Sequence, residues 1–319
     1  MFFYLLLLVV GMVLLIKGAD FFVDGSSGIA KKFGIPSLII GLTLVSLGTS
    51  APEISISINA VLDGSSDMSV GNVVGSNICN IFLILGISAI FTPLVISKDI
   101  KNYDIPIMVG LFILLIIFSF LITPNAINWY EGLIFLLLFI SYTIFLIFRT
   151  KNITSIEENK EENKNNIIKC IIFVIIGLAA IIFGGDLVVD NARNIALEFG
   201  MSETLVSLTI VAVGTSLPEL VTSVVAAFKK EGDIAVGNVI GSCIFNIILI
   251  LGLASLIAPI GPAIQLNVQN IIIFDLIIMF VGGLSLLIIS CFSKKVTRWQ
   301  GVLFLIIYIA YIVYIVIRN

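Results

Sequence analysis

The chain has 319 residues, 59% hydrophobic and 12% charged, with a formal net charge of −3. Soluble domains carry roughly 25% charged residues, so this balance excludes an ordinary water-soluble fold. Imidazole chemistry is excluded because there is no histidine. The four cysteines, Cys79, Cys170, Cys243 and Cys291, show no metal-ligand spacing and read as small packing residues in apolar segments.

In chain order, five apolar segments lie near 2–33, 36–62, 67–92, 103–122 and 127–149, and five more near 167–198, 202–228, 233–258, 267–291 and 299–317. Each approaches or exceeds the ~20 residues that span a bilayer as a helix. The opening run MFFYLLLLVVGMVLLIKG lacks a basic n-region and a small-residue cleavage site, so it reads as a first membrane helix rather than a leader. Between the two sets lies the polar run Thr150 to Asn166, TKNITSIEENKEENKNN, expected to be a disordered linker without a folded regulatory domain.

The two sets are a repeat. Gly48-Thr49-Ser50 recurs as Gly214-Thr215-Ser216, Pro52-Glu53 as Pro218-Glu219, and GNVVGSN from Gly71 as GNVIGSC from Gly237, all at one offset of 166 residues. Asp20 and Asp24 recur at the same offset as Asp186 and Asp190. An ancient duplication of a five-helix unit explains this, with 1–149 as the first repeat, 150–166 as the linker and 167–319 as the second. Five is odd, so the second unit crosses the membrane in the opposite sense. Lysine and arginine placement agrees. One set of segment ends holds Lys31, Lys32, Lys98, Lys101, Arg149 through Lys169, Lys229, Lys230, Lys294, Lys295 and Arg298, whereas the other holds little beyond Arg193 and Arg318. The rich side is cytoplasmic by the positive-inside rule, which sets both termini outside and 150–166 inside. The expected architecture is all-α: ten transmembrane helices in two inverted five-helix repeats, with helices 2, 3, 7 and 8 interrupted, as in secondary transporters.

Pro52 and Pro218 cannot donate to the helix ladder and are expected to release carbonyls around Ser46 to Thr49 and Ala212 to Thr215. Ser46, Ser50, Glu53 and Ser57 fall on one helical face, and Ser216, Glu219 and Ser223 repeat the stripe. Asn72, Ser76 and Asn80 form another, matched by Asn238, Ser242 and Asn246. These groups are all hard oxygens, which suit Ca²⁺, Mg²⁺, Mn²⁺ or alkali ions rather than zinc or copper. Ca²⁺ takes roughly 6–8 oxygens in a forgiving geometry, and two carboxylates neutralise one such ion, whereas Mg²⁺ tends to keep its waters. A proline kink with serines repairing the backbone is common in membrane helices. An intramembrane glutamate, repeated in the same motif, points instead to a functional site. Lys17, Asp20 and Asp24 either line a path or sit at a helix end with Lys17 paired to Asp20, and the pairing is favoured; Asp186 and Asp190 repeat the acids alone.

The motifs GTSAPE and GTSLPE, each followed by GNVVGSN or GNVIGSC, resemble the two alpha repeats of the calcium/cation antiporter superfamily, and its prokaryotic sodium/calcium exchanger branch above all. The resemblance covers essentially the whole chain. It implies exchange of Ca²⁺ for Na⁺ across the plasma (inner) membrane by alternating access, with the long first and sixth helices sliding across a fixed core. It implies Ca²⁺ ligands at Glu53 and Glu219 and at the carbonyls of Thr49 and Thr215. For sodium it adds Ser50, Ser216, Ser76, Ser242 and the carbonyls of Ser46 and Ala212, with Asn80 and Asn246 completing the central layer. Some branches, potassium-dependent ones among them, carry aspartate at one of these two asparagine positions; both are amides here, which disfavours potassium coupling. Ca²⁺/H⁺ or potassium-assisted exchange and a cation channel are the alternatives. A channel usually repeats its pore by rotation about the membrane normal, not by inversion. No nucleophile–base pair or cofactor motif suggests an enzyme. The expected partners are the two ions and the lipid bilayer, with no cofactor, nucleic acid or obligate protein partner.

Overall fold

In a computed structural model of the chain, residues 1–154, 166–201, 206, 210, 212–261, 265–268 and 272–318 are described. They are almost wholly helical. Helix α1 (Phe2–Phe33) ends at Gly34, whose φ of 63° closes a left-handed C-cap with its N–H on the Ala30 carbonyl. Helices α2 (Ser37–Thr49) and α3 (Ala51–Leu62) meet at Ser50 with a 46° bend. Helices α4 (Ser66–Phe91), α5 (Ile100–Ile122) and α6 (Trp129–Thr150) follow. Asn166 caps α7 (Ile167–Glu198), its side chain accepting from the Ile168 N–H at 3.0 Å. A short turn, Ala212–Gly214, precedes α8 (Leu217–Phe228). The chain closes with α9 (Gly232–Ile260), α10 (Ile273–Phe292) and α11 (Arg298–Arg318).

Among the described residues, eight helices are long and apolar enough to cross a membrane, or nine when the bent pair α2–α3 is counted as one span. The expected segment 202–228 falls partly outside the described residues, as does most of the expected linker 150–166. Helices α4 and α9 are central: 78% and 67% of their apolar windows are buried, against 22% for α1 and 28% for α7. The outer helices turn large apolar side chains outwards, such as Phe2, Val13, Ile140, Ile175, Ile288 and Ile306. That surface matches a lipid environment rather than water.

The interruption expected in the second helix is present as the break at Ser50, and Pro52 and Pro218 do not kink a continuous helix. Each sits in the first turn of a new one, where a missing N–H costs nothing. The Ser46 carbonyl is therefore not fully released, because it accepts the Ser50 N–H at 3.0 Å. The third and eighth helices, by contrast, are not broken: with no proline at their middles, α4 and α9 run on and absorb the irregularity as π-helical turns, Cys79–Ile84 and Asn246–Leu251. Such turns often mark functional positions in helices.

Small clasps tie the halves together. At one end, β1 (Leu94–Val95) pairs antiparallel with β4 (Lys295–Val296); at the other, β2 (Ala126–Ile127) pairs with β3 (Leu266–Asn267). Helices α1 and α7 lie antiparallel along a glycine seam. A Cβ on Gly18 would lie 2.9 Å from the Gly177 carbonyl, and one on Gly177 would lie 2.5 Å from the Phe22 nitrogen. Only the absence of a side chain permits this approach. Helices α6 and α11 start on matching boxes, Glu131 accepting the Asn128 N–H at 2.7 Å and Gln300 the Thr297 N–H at 2.8 Å. Both end on an arginine bridged to an acid in the first turns of the preceding helix. Arg149 meets Asp104 at 3.0 Å and Arg318 meets Asp275 at 3.4 Å.

Candidate cation site

The stripes foreseen on four helices converge on α3, α4, α8 and α9. Glu53 and Glu219, each in the first turn after a proline break, are both buried and close enough to repel each other. Each stands at the positive dipole end of its helix, which lowers the cost of holding a carboxylate there.

The scaffold around the acids is symmetric. Asn72 donates from Nδ2 to the Glu53 carbonyl at 3.3 Å and to Ser57 Oγ at 2.9 Å. Asn238 does the same to the Glu219 carbonyl at 3.4 Å and Ser223 Oγ at 2.9 Å. Asn238 also accepts the Thr49 hydroxyl at 3.0 Å, joining α9 to the end of α2. These two asparagines belong to the same stripes as Asn80 and Asn246 but brace the backbone of the broken helices. The glycines of the second motif explain themselves here. Gly237 and Gly241 let α9 press on α2, where a Cβ at Gly241 would lie 2.7 Å from Ser46 Oγ.

Nearer the centre the halves differ. Ser50 donates to Glu219 Oε1 at 2.9 Å and lies 3.0 Å from Ser242 Oγ. The repeat-equivalent hydroxyl, Ser216 Oγ, is buried without a partner. Ser76 is buried one turn before Asn80 on α4. Among the described residues, the buried carboxylate and amide oxygens lacking any hydrogen-bond partner are Glu53 Oε1 and Oε2, Glu219 Oε2, Asn80 Oδ1 and Asn246 Oδ1. All five are acceptors. Native interiors seldom leave such groups unmatched, and a set of acceptors without donors is what a cation completes. No group of three or more His, Cys, Asp or Glu side chains converges among the described residues. A cation held here relies on two carboxylates and neutral oxygens, a hard set suited to Ca²⁺ or Na⁺.

Other residues resolve differently. Thr215 is only partly buried and lines a cavity of about 240 Å³ with Pro52, Asp186, Asp190 and Pro218, so the acids of α7 face a cavity beside the motif. Ala212 opens the turn before α8. Lys17 does pair with Asp20, at 3.5 Å, but Lys229 holds Asp20 at 3.3 Å and Asp24 at 2.7 Å more closely. Composition placed the cysteines off the stripes; the fold sets Cys79 against Ser216 and Cys243 against Asn80. Cys79 directly precedes Asn80 and Cys243 directly follows Ser242, and those positions were the available signal.

Comparison with known proteins identifies the family. The family model "Sodium/calcium exchanger protein" matches residues 3–148 and 169–317. The sodium/calcium exchanger MaX1 of Methanosarcina acetivorans is 36% identical, with 97% of each chain covered. The putative antiporter CaxA of Alkalimonas amylolytica is 35% identical, with 95% of each covered. Among solved structures, the sodium-calcium exchanger NCX_Mj soaked with Na⁺ and Sr²⁺ superposes with a TM-score of 0.83 at 35% identity, covering 97% of each chain. By fold, motif and relatives alike, the chain belongs to the sodium/calcium exchanger family.

Proposed function

We propose that this protein exchanges Ca²⁺ for Na⁺ across the plasma (inner) membrane by alternating access, binding both ions at Glu53 and Glu219. The observation that carries the reading is the set of five unpartnered buried oxygens on those glutamates and on Asn80 and Asn246. Two carboxylates balance one Ca²⁺ or two Na⁺, so the two ions compete for one charge-compensated place, which is the physical basis of exchange. Ca²⁺ takes the carboxylates with the carbonyls of Thr49 and Thr215. Sodium adds Ser50, Ser216, Ser76, Ser242 and the carbonyls of Ser46 and Ala212. The Ser46 carbonyl accepts the Ser50 N–H at 3.0 Å and the Thr49 hydroxyl at 3.4 Å, so an ion there takes the place of the longer, hydroxyl contact.

The architecture we infer is ten transmembrane helices in two inverted repeats, 1–149 and 167–319, joined by a cytoplasmic 150–166. Supporting it are the antiparallel pairing of α1 with α7, which occupy equivalent places in the repeats, and the matched bonds of Asn72 and Asn238. The end carrying β1 and β4 gathers Lys31, Lys229, Lys295 and Arg298, and we assign it to the cytoplasm, with both termini outside. Helices α1 and α7 bury little against the core and slide along it to open each side in turn.

The test is Ca²⁺ uptake into vesicles with and without an imposed Na⁺ gradient, in the presence and absence of K⁺. Uptake that follows the Na⁺ gradient and ignores K⁺ supports the reading. Uptake without any counter-ion identifies a channel, and an absolute K⁺ requirement identifies potassium-assisted exchange.

A further inference from the structure

Asn80 and Asn246 occupy equivalent places in the two repeats, and each has an unpartnered buried amide oxygen. An asparagine serves a cation in only one of its two flips. With Oδ1 inwards it attracts the ion, and with Nδ2 inwards it presents two N–H donors that repel it. The flip is set by what the amide nitrogen finds on its other side.

For Asn246 that partner is Asn77. Nδ2 of Asn246 donates to Oδ1 of Asn77 at 3.0 Å, with both residues essentially sealed from solvent. Asn77 is itself held, its Nδ2 donating to Met279 Sδ at 3.6 Å and its carbonyl lying 3.9 Å from Cys243 Sγ. Its oxygen is thereby turned towards Asn246. For Asn80, the residue equivalent to Asn77 is Cys243, which lies beside it. A thiol is a weak acceptor compared with an amide oxygen. The amide of Asn246 is locked by an amide partner, and the position equivalent to that partner beside Asn80 holds a thiol.

We propose that Asn77 is a positioning residue for cation binding, holding the Asn246 amide oxygen towards the transported ions in the second repeat alone. The inference rests on the reading that Asn246 faces those ions. Its effect falls mainly on sodium. Two carboxylates already balance one Ca²⁺ or two Na⁺, so any further Na⁺ depends on neutral oxygens such as this one. Losing one neutral hydrogen-bond anchor should raise the half-saturating Na⁺ about tenfold.

The experiment is titration of the purified full-length protein with Na⁺ and with Ca²⁺, read by cation-dependent thermal stabilisation. It uses the parent, Asn77→Leu, Asn77→Asp, Asn246→Ala and the double variant Asn77→Leu/Asn246→Ala. Asn77→Leu should shift the Na⁺ titration about tenfold to higher concentration and the Ca²⁺ titration less. Asn77→Asp keeps an acceptor oxygen and should titrate at or below the parent's Na⁺ concentration, a rescue that a packing role would not give. In the Asn246→Ala background, Asn77→Leu should add no further shift. An unshifted Na⁺ titration in Asn77→Leu, or an equal shift in both backgrounds, overturns the proposal. Parent-like titrations in Asn246→Ala would overturn the placement of Asn246 as well, and so separate the two failures. If Asn77→Leu does not fold, Asn77→Ala is read by the same criteria.

Discussion

A carboxylate buried without a donor is costly in protein and more so in a bilayer. Glu53 leaves both oxygens in that condition and Glu219 leaves one, which marks the pair as groups kept for a ligand rather than for stability. Glu53→Gln and Glu219→Gln preserve size and remove half of the compensating charge each. Both variants should lose Ca²⁺ exchange to background, yet melt at or above the parent temperature in ion-free buffer, since a repelling buried charge is gone. Ca²⁺ should no longer raise their melting temperature; a parent-like Ca²⁺ shift in either would remove that acid from the site. Arg149 and Asp104 are the opposite case. Asp104 is fully buried and bridged at 3.0 Å, and Tyr142 adds a hydrogen bond at 3.2 Å. Arg149→Met should destabilise by about 3–5 kcal/mol, because it strands a buried charge. Adding Asp104→Leu to it should recover most of the loss in thermal unfolding, and failure to recover would mean that packing by the arginine stem dominates. The glutamates were legible in the sequence because a charge in an apolar run is conspicuous. The partition of the asparagines was not. Asn72 and Asn80 are the same residue on the same helical face, and only their neighbours show that one braces backbone while the other offers an oxygen.

At the scale of elements, glycine governs how closely helices approach. Gly177 sits where α7 touches α1, and a Cβ there would meet the Phe22 backbone nitrogen at 2.5 Å. Gly177→Val should wedge the two helices apart and cut exchange rates severely. Ca²⁺ binding in detergent should change far less, because the acids lie on other helices; equal loss of binding and transport would contradict the division between moving pair and core. The end of α1 is tied to the turn between α8 and α9. Glu231 accepts from Ser27 at 2.6 Å and from Lys31 at 2.9 Å. Partial burial alone would raise its pKa, but the Ser27 hydroxyl and the ammonium groups of Lys31 and Lys229 outweigh it and hold the carboxyl below the ordinary glutamate value. A group with a lowered folded pKa contributes stability above its unfolded pKa and loses it as pH falls through the folded one. The melting-temperature gap between the parent and Glu231→Gln should therefore stay level from neutral pH down to the ordinary glutamate range and close below it. A gap that widens on acidification would show that the carboxylate is not what ties the turn to α1. Proline placed the two breaks of the motif helices in the sequence, but the π-helical turns of α4 and α9 carry no such punctuation, so interruption was expected where the ladder merely widens by one residue.

For the whole molecule, the apolar segments foretold a multi-pass membrane protein, and a repeat offset of 166 residues with one-sided lysines and arginines is the basis for proposing two related halves. The pairing of β1 with β4 and of β2 with β3 was invisible in two-residue strands, because their partners lie far apart in the chain. The same wholeness determines how transport meets the membrane voltage. With both glutamates ionised, the proposed site carries two negative charges, so one Ca²⁺ or two Na⁺ would leave it neutral, and a third Na⁺ held by Asn246, Asn80 or nearby hydroxyls would leave it with one positive charge. If three Na⁺ move for each Ca²⁺, every cycle carries one net charge across the bilayer, coupled to the potential at about 2.3 kcal/mol per 100 mV. At equilibrium that coupling multiplies the attainable Ca²⁺ gradient about 50-fold for each 100 mV. We expect Ca²⁺ flux driven by a fixed Na⁺ gradient to change when vesicles are clamped at opposite potentials, accelerating when the side receiving Na⁺ is negative. The reversal condition gives a sharper reading, since the Na⁺ gradient at which net Ca²⁺ flux vanishes should move with the clamped potential. A reversal point independent of voltage would mean two Na⁺ per Ca²⁺, with the neutral oxygens of the layer holding no extra ion during transport.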